Sequence, residues 1–392
     1  MSPGEPRLPT PLIQRDLCLR SPTLAASATV LLGVRRCGKS TLLAQWMARC
    51  EHALYLNFED PRLFGLGPED FPPLLDLCRQ GEAASVFLDE VQEVPEWQRF
   101  VRALLDAGRA VCLTGSNASL LGRELGSKLT GRHLSLEVFP FSFTEYRKYC
   151  GRPADAAALQ GYLDDGGFPS YLRERDPRIL QELLRDIVSR DIAQRYRLRE
   201  TRHVMSLLLF LLANTGQPFS LQRLTKSLAI PTVGQTSRYL EFLQDAFLLL
   251  SVPKYSASVR QRVTAPAKYY AIDNGLRRVN TPAGGAPDLG HRLENSVLLE
   301  LRRCGEHPAY AAERDVWECD FVTDTAAIQV CARLTPENLA RELRGLVAAC
   351  RLPGTRQALI LTLDQRDRLE ADGVVVLVRP AWEWMEERAV GR

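Results

Sequence analysis

Short apolar runs alternate with helix-periodic stretches over the first 140 residues. Residues 28–32 are apolar and end at a glycine, and residues 40–49 carry helical spacing. Further strand-like runs follow at 53–58, 85–88, 110–114 and 133–138. Strands alternating with helices predict βαβ units and a parallel α/β sheet over residues 1–140. The fourth strand is expected between the first and third.

Residues 141–200 read as a helical, lid-like segment interrupted by Gly166-Gly167-Phe168-Pro169. Residues 201–274 then show an apolar helix at 204–213, a second at 220–228, a turn at Ile230-Pro231, a long helix at 232–247 and a strand at 248–253. That order predicts a winged-helix domain. Gly, Pro and Ala enrich residues 275–288, which read as a linker. A mixed α/β tail occupies residues 286–392. Its helices are expected at 290–304 and 336–349, and its strands at 310–313, 316–322, 327–332, 358–363 and 374–378.

Composition is that of a globular chain, with 45% hydrophobic and 25% charged residues among 392. The formal net charge of +3 selects no partner. Only six of the 50 basic residues are lysines, and the arginines run the whole length. The first 18 residues lack the apolar centre of a signal peptide. The longest apolar stretch falls short of the roughly 18 residues of a membrane span. Ten cysteines and five histidines show no CxxC or metal-ligand spacing. A cytoplasmic protein with reduced cysteines and no membrane association is the expectation.

Gly33-Val34-Arg35-Arg36-Cys37-Gly38-Lys39-Ser40 fits G-x-x-x-x-G-K-[ST] between a strand and a helix. The expected ATP contacts are Gly33, Arg36, Cys37, Gly38, Lys39, Ser40 and Thr41. Backbone N–H groups curl around phosphate, and the helix dipole favours its charge. Lys39 is expected on the β- and γ-phosphates, and Ser40 on Mg²⁺. Cys37 is either a small filler or a redox-sensitive thiol.

Val86-Phe87-Leu88-Asp89-Glu90 ends a buried strand in two acids. Asp89 is expected to hold Mg²⁺ through water, and Glu90 to polarise the attacking water. Asn117 or Ser116 would sense the γ-phosphate. Arg132 would stabilise transferred charge, within the chain or from a neighbour, or serve as a surface arginine. No N-K-x-D guanine signature is present, so ATP is preferred over GTP.

In the winged helix, Thr232, Gln235, Thr236 and Arg238 are candidates to meet a DNA major groove. The alternative is that this module only packs against the nucleotide domain. In the tail, Glu294 on a helix, Asp320 on one strand and Gln329 on the next follow the layout of restriction-endonuclease-like metal sites. Such sites usually carry a lysine two positions after the second strand residue, where this chain has Cys331. Gln329 also replaces an acid. Both departures weaken metal binding, so an inactive nuclease-like remnant is expected.

The chain resembles a large prokaryotic group of AAA-type ATPases with a carboxy-terminal domain of unknown function. The resemblance is carried by GVRRCGKSTLL, YLNFED, VFLDEVQEVPEW, LTGSN, LTGR, FPFSFTEY, GGFPSYL, RDIVSRDI, KYYAIDNGLR, LENSVLLEL and ECDFVTD with IQVC. It spans about residues 13–380. It implies ATP binding and hydrolysis, a winged helix and a nuclease-like tail. It places phosphate on Gly38, Lys39 and Ser40, Mg²⁺ and water on Asp89 and Glu90, and a sensor at Asn117. Some members read I-E-V-K where this chain reads IQVC. The leading expectation is an ATP-driven switch or motor. An ATP-gated DNA-processing protein and an ATP-binding adaptor for a protein partner are the alternatives, with oligomer formation left open.

Overall fold

The computed structural model describes residues 13–17, 27–115, 131–256, 258, 264–281, 289–355 and 357–390. The chain divides into two compact units: Met1–Phe139 with Asp245–Phe247, and Pro140–Gln244 with Leu248–Arg392.

In the first unit, β1 (Ala28–Leu32), β2 (Ala53–Asn57), β3 (Ser85–Asp89), β4 (Ala110–Gly115) and β5 (His133–Glu137) form one parallel sheet in the order β2-β3-β4-β1-β5. The expected place of β4, between β1 and β3, is therefore observed. The central strands β1, β3 and β4 are buried along their length, whereas β2 and β5 are partly open. Such continuous apolar runs are what a sheet covered on both faces requires. α1 (Lys39–Met47) contributes buried Leu42, Leu43 and Trp46. α3 (Trp97–Asp106) buries Trp97, Phe100, Val101, Leu104 and Leu105. α2 (Phe71–Gln80) starts at Phe71, whose ring stacks 5.3 Å from that of Phe100.

The second unit opens with helices α4 (Phe143–Cys150), α5 (Ala156–Asp165), α6 (Pro169–Glu174) and α7 (Pro177–Asp186), the last running into a π-helical segment, Ile187–Gln194. Ser142 and Glu145 form a reciprocal capping box at the start of α4. Next come α8 (Arg202–Ala213), α9 (Leu221–Ser227) and α10 (Val233–Asp245). A small antiparallel sheet joins β6 (Pro218–Phe219), β7 (Leu249–Val252) and β8 (Ala267–Ala271) in the order β6-β8-β7.

The expected linker at 275–288 is corrected over its first part. Asn274–Asn280 form helix α11, capped by the Asp273 carboxylate, which accepts from Leu276 N at 2.7 Å. Gly275 is there for a packing reason, since a Cβ on it would lie 2.0 Å from the Asp165 carbonyl oxygen. The second Asp273 oxygen accepts from Gly167 N at 2.6 Å, so the Gly166-Gly167 and Asp273-Asn274-Gly275 motifs interlock. Burial pushes the Asp273 carboxyl up to about 6.

α12 (Leu289–Arg303) is buried on every side from Leu293 to Leu301. β9 (Ala309–Glu313), β10 (Trp317–Val322), β11 (Ala326–Val330), β12 (Gln357–Thr362), β13 (Asp367–Ala371) and β14 (Val374–Pro380) make a mixed six-stranded sheet in the order β13-β14-β12-β11-β10-β9. α13 (Pro336–Cys350) packs on it so closely that a Cβ on Gly345 would fall 1.8 Å from the Glu318 carbonyl oxygen. α14 (Ala381–Val390) returns to α4, where Glu386 accepts from Thr144 Oγ1 and Arg147 Nε, both at 2.7 Å.

Candidate functional site

The glycine-rich loop leaves β1 at its carboxy-terminal end and turns straight into α1. Gly38 takes φ +101°, a conformation that side chains rarely adopt. Gly33 lies so close to Val138 that a Cβ would meet the carbonyl oxygen at 2.1 Å. No side chain caps the amino terminus of α1, and its first turn contains no acid. Those open N–H groups suit an anion. Lys39 is buried inside the loop, and its Nζ donates to the carbonyls of Gly33 (3.0 Å) and Val34 (3.2 Å). Arg36 and Ser40 are exposed, and Thr41 is half-buried. Cys37 points inward instead, its Sγ 3.2 Å from the Val138 oxygen. Burial raises its thiol pKa, which favours the filler reading over a reactive thiolate.

Sequence reasoning missed the support beneath this loop. Arg15 Nη1 donates to the Cys37 carbonyl at 2.9 Å, and Nη2 to the Phe139 carbonyl at 2.7 Å. An arginine in the amino-terminal segment thus ties the loop to the chain after β5.

Asp89 closes β3, two strands from β1 and so about 10 Å across the sheet at the usual strand spacing. Its carboxylate accepts from the Thr114 hydroxyl and from the Tyr55 hydroxyl, the latter at 2.9 Å. Thr114 Oγ1 also accepts from Glu90 N at 3.0 Å. Glu90 sits at φ 53°, a strained turn for a non-glycine residue, and accepts from Gln92 Nε2 at 2.5 Å. Glu59 joins this edge, 3.9 Å from Arg35. Burial and the charge of Glu90 raise its carboxyl pKa. Asp89 is an oxygen donor of the kind a hard divalent cation takes, with its orientation set by Thr114 and Tyr55. Thr114 was legible within LTGSN. The γ-phosphate sensor expected at Asn117 or Ser116 lies outside the described residues.

Arg132 is corrected. It precedes β5, which runs parallel to β1, and its carbonyl accepts from Ala28 N at 2.9 Å. It therefore stands at the amino-terminal edge of the sheet, about 16 Å of strand away from the loop. Its guanidinium pairs with Asp106 at 2.6 Å. A role at this chain's own nucleotide site is excluded by that distance.

In the second unit, Glu294, Asp320 and Gln329 do converge on one cavity of about 780 Å³. Lys268 from β8 occupies the middle of the cluster. Its Nζ lies 2.7 Å from Glu318, 3.3 Å from Glu294 and 3.4 Å from Asp320. Burial alone would lower its pKa, but the carboxylates, Glu294 foremost, hold it well above the ordinary value. Burial and the Glu294 charge push the Asp320 carboxyl up. Tyr270 OH donates to Glu294 at 2.6 Å, and Val330 N donates to Asp320 at 2.9 Å. Gln329 faces Glu342, donating through Nε2 at 2.7 Å.

Lys268, which sequence reasoning did not place here, joins the expected remnant of Glu294, Asp320 and Gln329. The Lys268 ammonium stands among the carboxylates, and the Gln329 amide bridges Asp320 N, from which Oε1 accepts at 3.4 Å, and Glu342. Among the described residues, no group of three or more His, Cys, Asp or Glu is arranged to hold a metal.

In the three-helix portion, Thr232 and Arg238 are exposed and Gln235 is half-buried. Thr236 is corrected: it is fully buried, with Oγ1 2.8 Å from that of Thr225, and cannot meet a groove. No helix among the described residues is long and apolar enough to cross a membrane.

Residues 25–147 match the AAA domain family, and residues 157–284 match a domain of unknown function, DUF8612. An uncharacterized protein of Haemophilus influenzae is 31% identical over 379 residues, spanning 90% of this chain and 93% of its own. One from Methanocaldococcus jannaschii is 28% identical over 407 residues, spanning 95% of this chain and 91% of its own. Among solved structures, the Walker-type ATPase PABY2304 of Pyrococcus abyssi is 19% identical, with a TM-score of 0.41, over 64% of this chain and 90% of that one. The chain belongs to the same family as the Haemophilus influenzae protein, and it carries an AAA domain over residues 25–147.

Proposed function

We infer that the first unit hydrolyses ATP with Mg²⁺ and that turnover drives a conformational switch. The observation that carries the reading is the convergence, on one edge of the sheet, of an uncapped helix amino terminus, buried Lys39, and Asp89 fixed by Thr114 and Tyr55. Lys39 would leave its loop carbonyls for the β- and γ-phosphates. Ser40 and Asp89 would hold the metal ion, which supplies charge neutralisation for the transferred phosphoryl group. Glu90 would orient the attacking water. Thr114 touches both Asp89 and the Glu90 backbone, so a shift at one is felt at the other.

The second unit supports a winged-helix reading for residues 201–274: three helices with a small sheet in the order β6-β8-β7. The sheet flanked by α12 and α13 supports a restriction-endonuclease-like reading of the tail, without a working metal centre. Exposed Thr232 and Arg238 favour DNA as what the switch acts on, over an adaptor role toward a protein.

The test is steady-state ATP hydrolysis and nucleotide binding by the full chain. Lys39→Ala should abolish binding. Glu90→Gln should bind ATP as the parent does and lose at least about a hundredfold in turnover, a usual scale for a removed general base. Normal turnover by Glu90→Gln would falsify its role.

A further inference from the structure

The arginines of this chain are not evenly neutralised. Over much of the surface, exposed guanidinium groups rest on carboxylates: Arg62 on Asp60, Arg99 on Glu96, Arg178 on Asp176, Arg366 on Glu383. The stretch from within the π-helical segment to the start of α8 is different. Arg190, Arg195, Arg197, Arg199 and Arg202 fall within 13 residues that contain only two acids, Asp191 and Glu200. Asp191 is buried. Arg190, Arg197, Arg199 and Arg202 are exposed and have no carboxylate partner among the described residues. Arg195 Nη1 is buried with no hydrogen-bond partner.

This arm is fixed to α10. The Tyr196 ring, between Arg195 and Arg197, stacks on Phe242 with centroids 3.7 Å apart and planes at 15°. Gln235, Arg238, Tyr239 and Phe242 stand at i, i+3, i+4 and i+7, the spacing of a single helix face. Arg238 is exposed and unpaired too. The acid on the neighbouring turn is Glu241, which is also exposed. The α10 amino terminus, Thr232 to Gly234, is open to solvent. Gly234 has no internal steric reason: a Cβ there would meet only Thr232 Oγ1, at 3.9 Å. A glycine in an exposed first turn brings no packing of its own, and it leaves room for close approach by another backbone.

We propose that α10 and the Arg190–Arg202 arm form a docking surface for double-stranded DNA, the arginines gripping phosphates while the α10 amino terminus enters the major groove. This rests on the winged-helix reading and names where its phosphate contacts come from. Exposed guanidinium groups clustered in one short segment and without carboxylate partners among the described residues suit the charge of a duplex backbone. B-form DNA is favoured over duplex RNA because its major groove admits a helix, whereas the A-form major groove is too narrow.

The experiment is fluorescence anisotropy of the full chain with a labelled 25-bp DNA duplex, from 50 to 200 mM salt, without nucleotide. An A-form RNA duplex and polyglutamate serve as competitors. Five phosphate contacts, at Arg190, Arg197, Arg199, Arg202 and Arg238, predict a log–log salt slope of about −4.5, or about a 500-fold loss of affinity across that range. Arg197→Ala/Arg199→Ala/Arg202→Ala removes side chains with no partner to orphan, and should reduce the slope to about −1.8, about a 12-fold loss. Gly234→Leu should weaken binding without changing the slope. No binding at 50 mM salt, an unchanged slope in the triple variant, or stronger binding of RNA or polyglutamate than of DNA each overturns the proposal. The same titration with Lys39→Ala keeps the two questions apart, since that chain should bind DNA normally whether or not the ATPase reading stands.

Discussion

Replacing Lys268 with methionine asks whether the buried cluster is one electrostatic unit. The side chain is 2% exposed, and Glu294 and Asp320 are 9% and 10% exposed, so two of its three ion pairs lie out of water. Glu318 is 44% exposed, so its contact is screened and adds little. Removing one partner of a buried pair costs about 3–5 kcal/mol, because the remaining charge stays desolvated. With the Glu318 share discounted, about 3 kcal/mol is expected at pH 7.

The readout is amide hydrogen exchange in β11, where Val330 N donates to Asp320, so that the first unit does not blur the transition. Asp320 is raised in the folded state by burial and Glu294, and Lys268 counters that rise. An acid with a raised folded pKa confers stability below its unfolded pKa that is lost as pH climbs through the folded value. Without Lys268 that loss is larger. The Lys268→Met defect should therefore shrink as pH falls from 8 to 5. Adding Asp320→Asn to Lys268→Met should relieve part of the defect. A loss below about 1 kcal/mol, or strictly additive effects of the two changes, refutes the reasoning.

Arg15→Ala should orphan the buried Cys37 and Phe139 carbonyls and lower first-unit stability by about 2–3 kcal/mol, with weaker ATP binding seen by calorimetry. Unaltered melting and affinity would sink its assigned role. Gly275→Ala drives a methyl into the Asp165 carbonyl and should destabilise the second unit by about 3 kcal/mol in urea unfolding, leaving ATP affinity unchanged. Arg132→Ala removes an exposed pair with Asp106, which contributes less than about 1 kcal/mol, and should leave turnover unchanged. A turnover defect that grows with protein concentration would instead reveal an action on a neighbouring copy.

The sheet of the first unit was legible because its central strands are apolar runs, each ending at a glycine or an acid. β13, read as Asp-Arg-Leu-Glu-Ala, went unrecognised because an edge strand with mostly exposed residues has no apolar alternation to show. Gly275 made 275–288 look like a linker, although the glycine is there so that α11 can touch the Asp165 carbonyl. The loop and Asp89 were readable because phosphate chemistry fixes residue types at short spacing. Lys268 was not, since it meets partners 26 and 52 residues away. Arg15 was hidden in the same way, one arginine among many until its two carbonyl partners are in place.

β8 and the turn after it carry more of the second unit than their length suggests. Lys268 holds the carboxyl cluster, and Tyr270 bonds Glu294. The backbone of Ala271 exchanges hydrogen bonds with the Asn295 amide at 2.9 and 3.1 Å. Asn274 Nδ2 reaches Ser296 Oγ at 2.9 Å, and Asp273 caps α11 while binding Gly167. The small sheet beside the three helices and the buried helix of the tail are thus joined through polar groups shielded from water. Separating them would leave those groups unsatisfied, at about 1–3 kcal/mol each. A force applied to the helical portion would therefore move the tail with it.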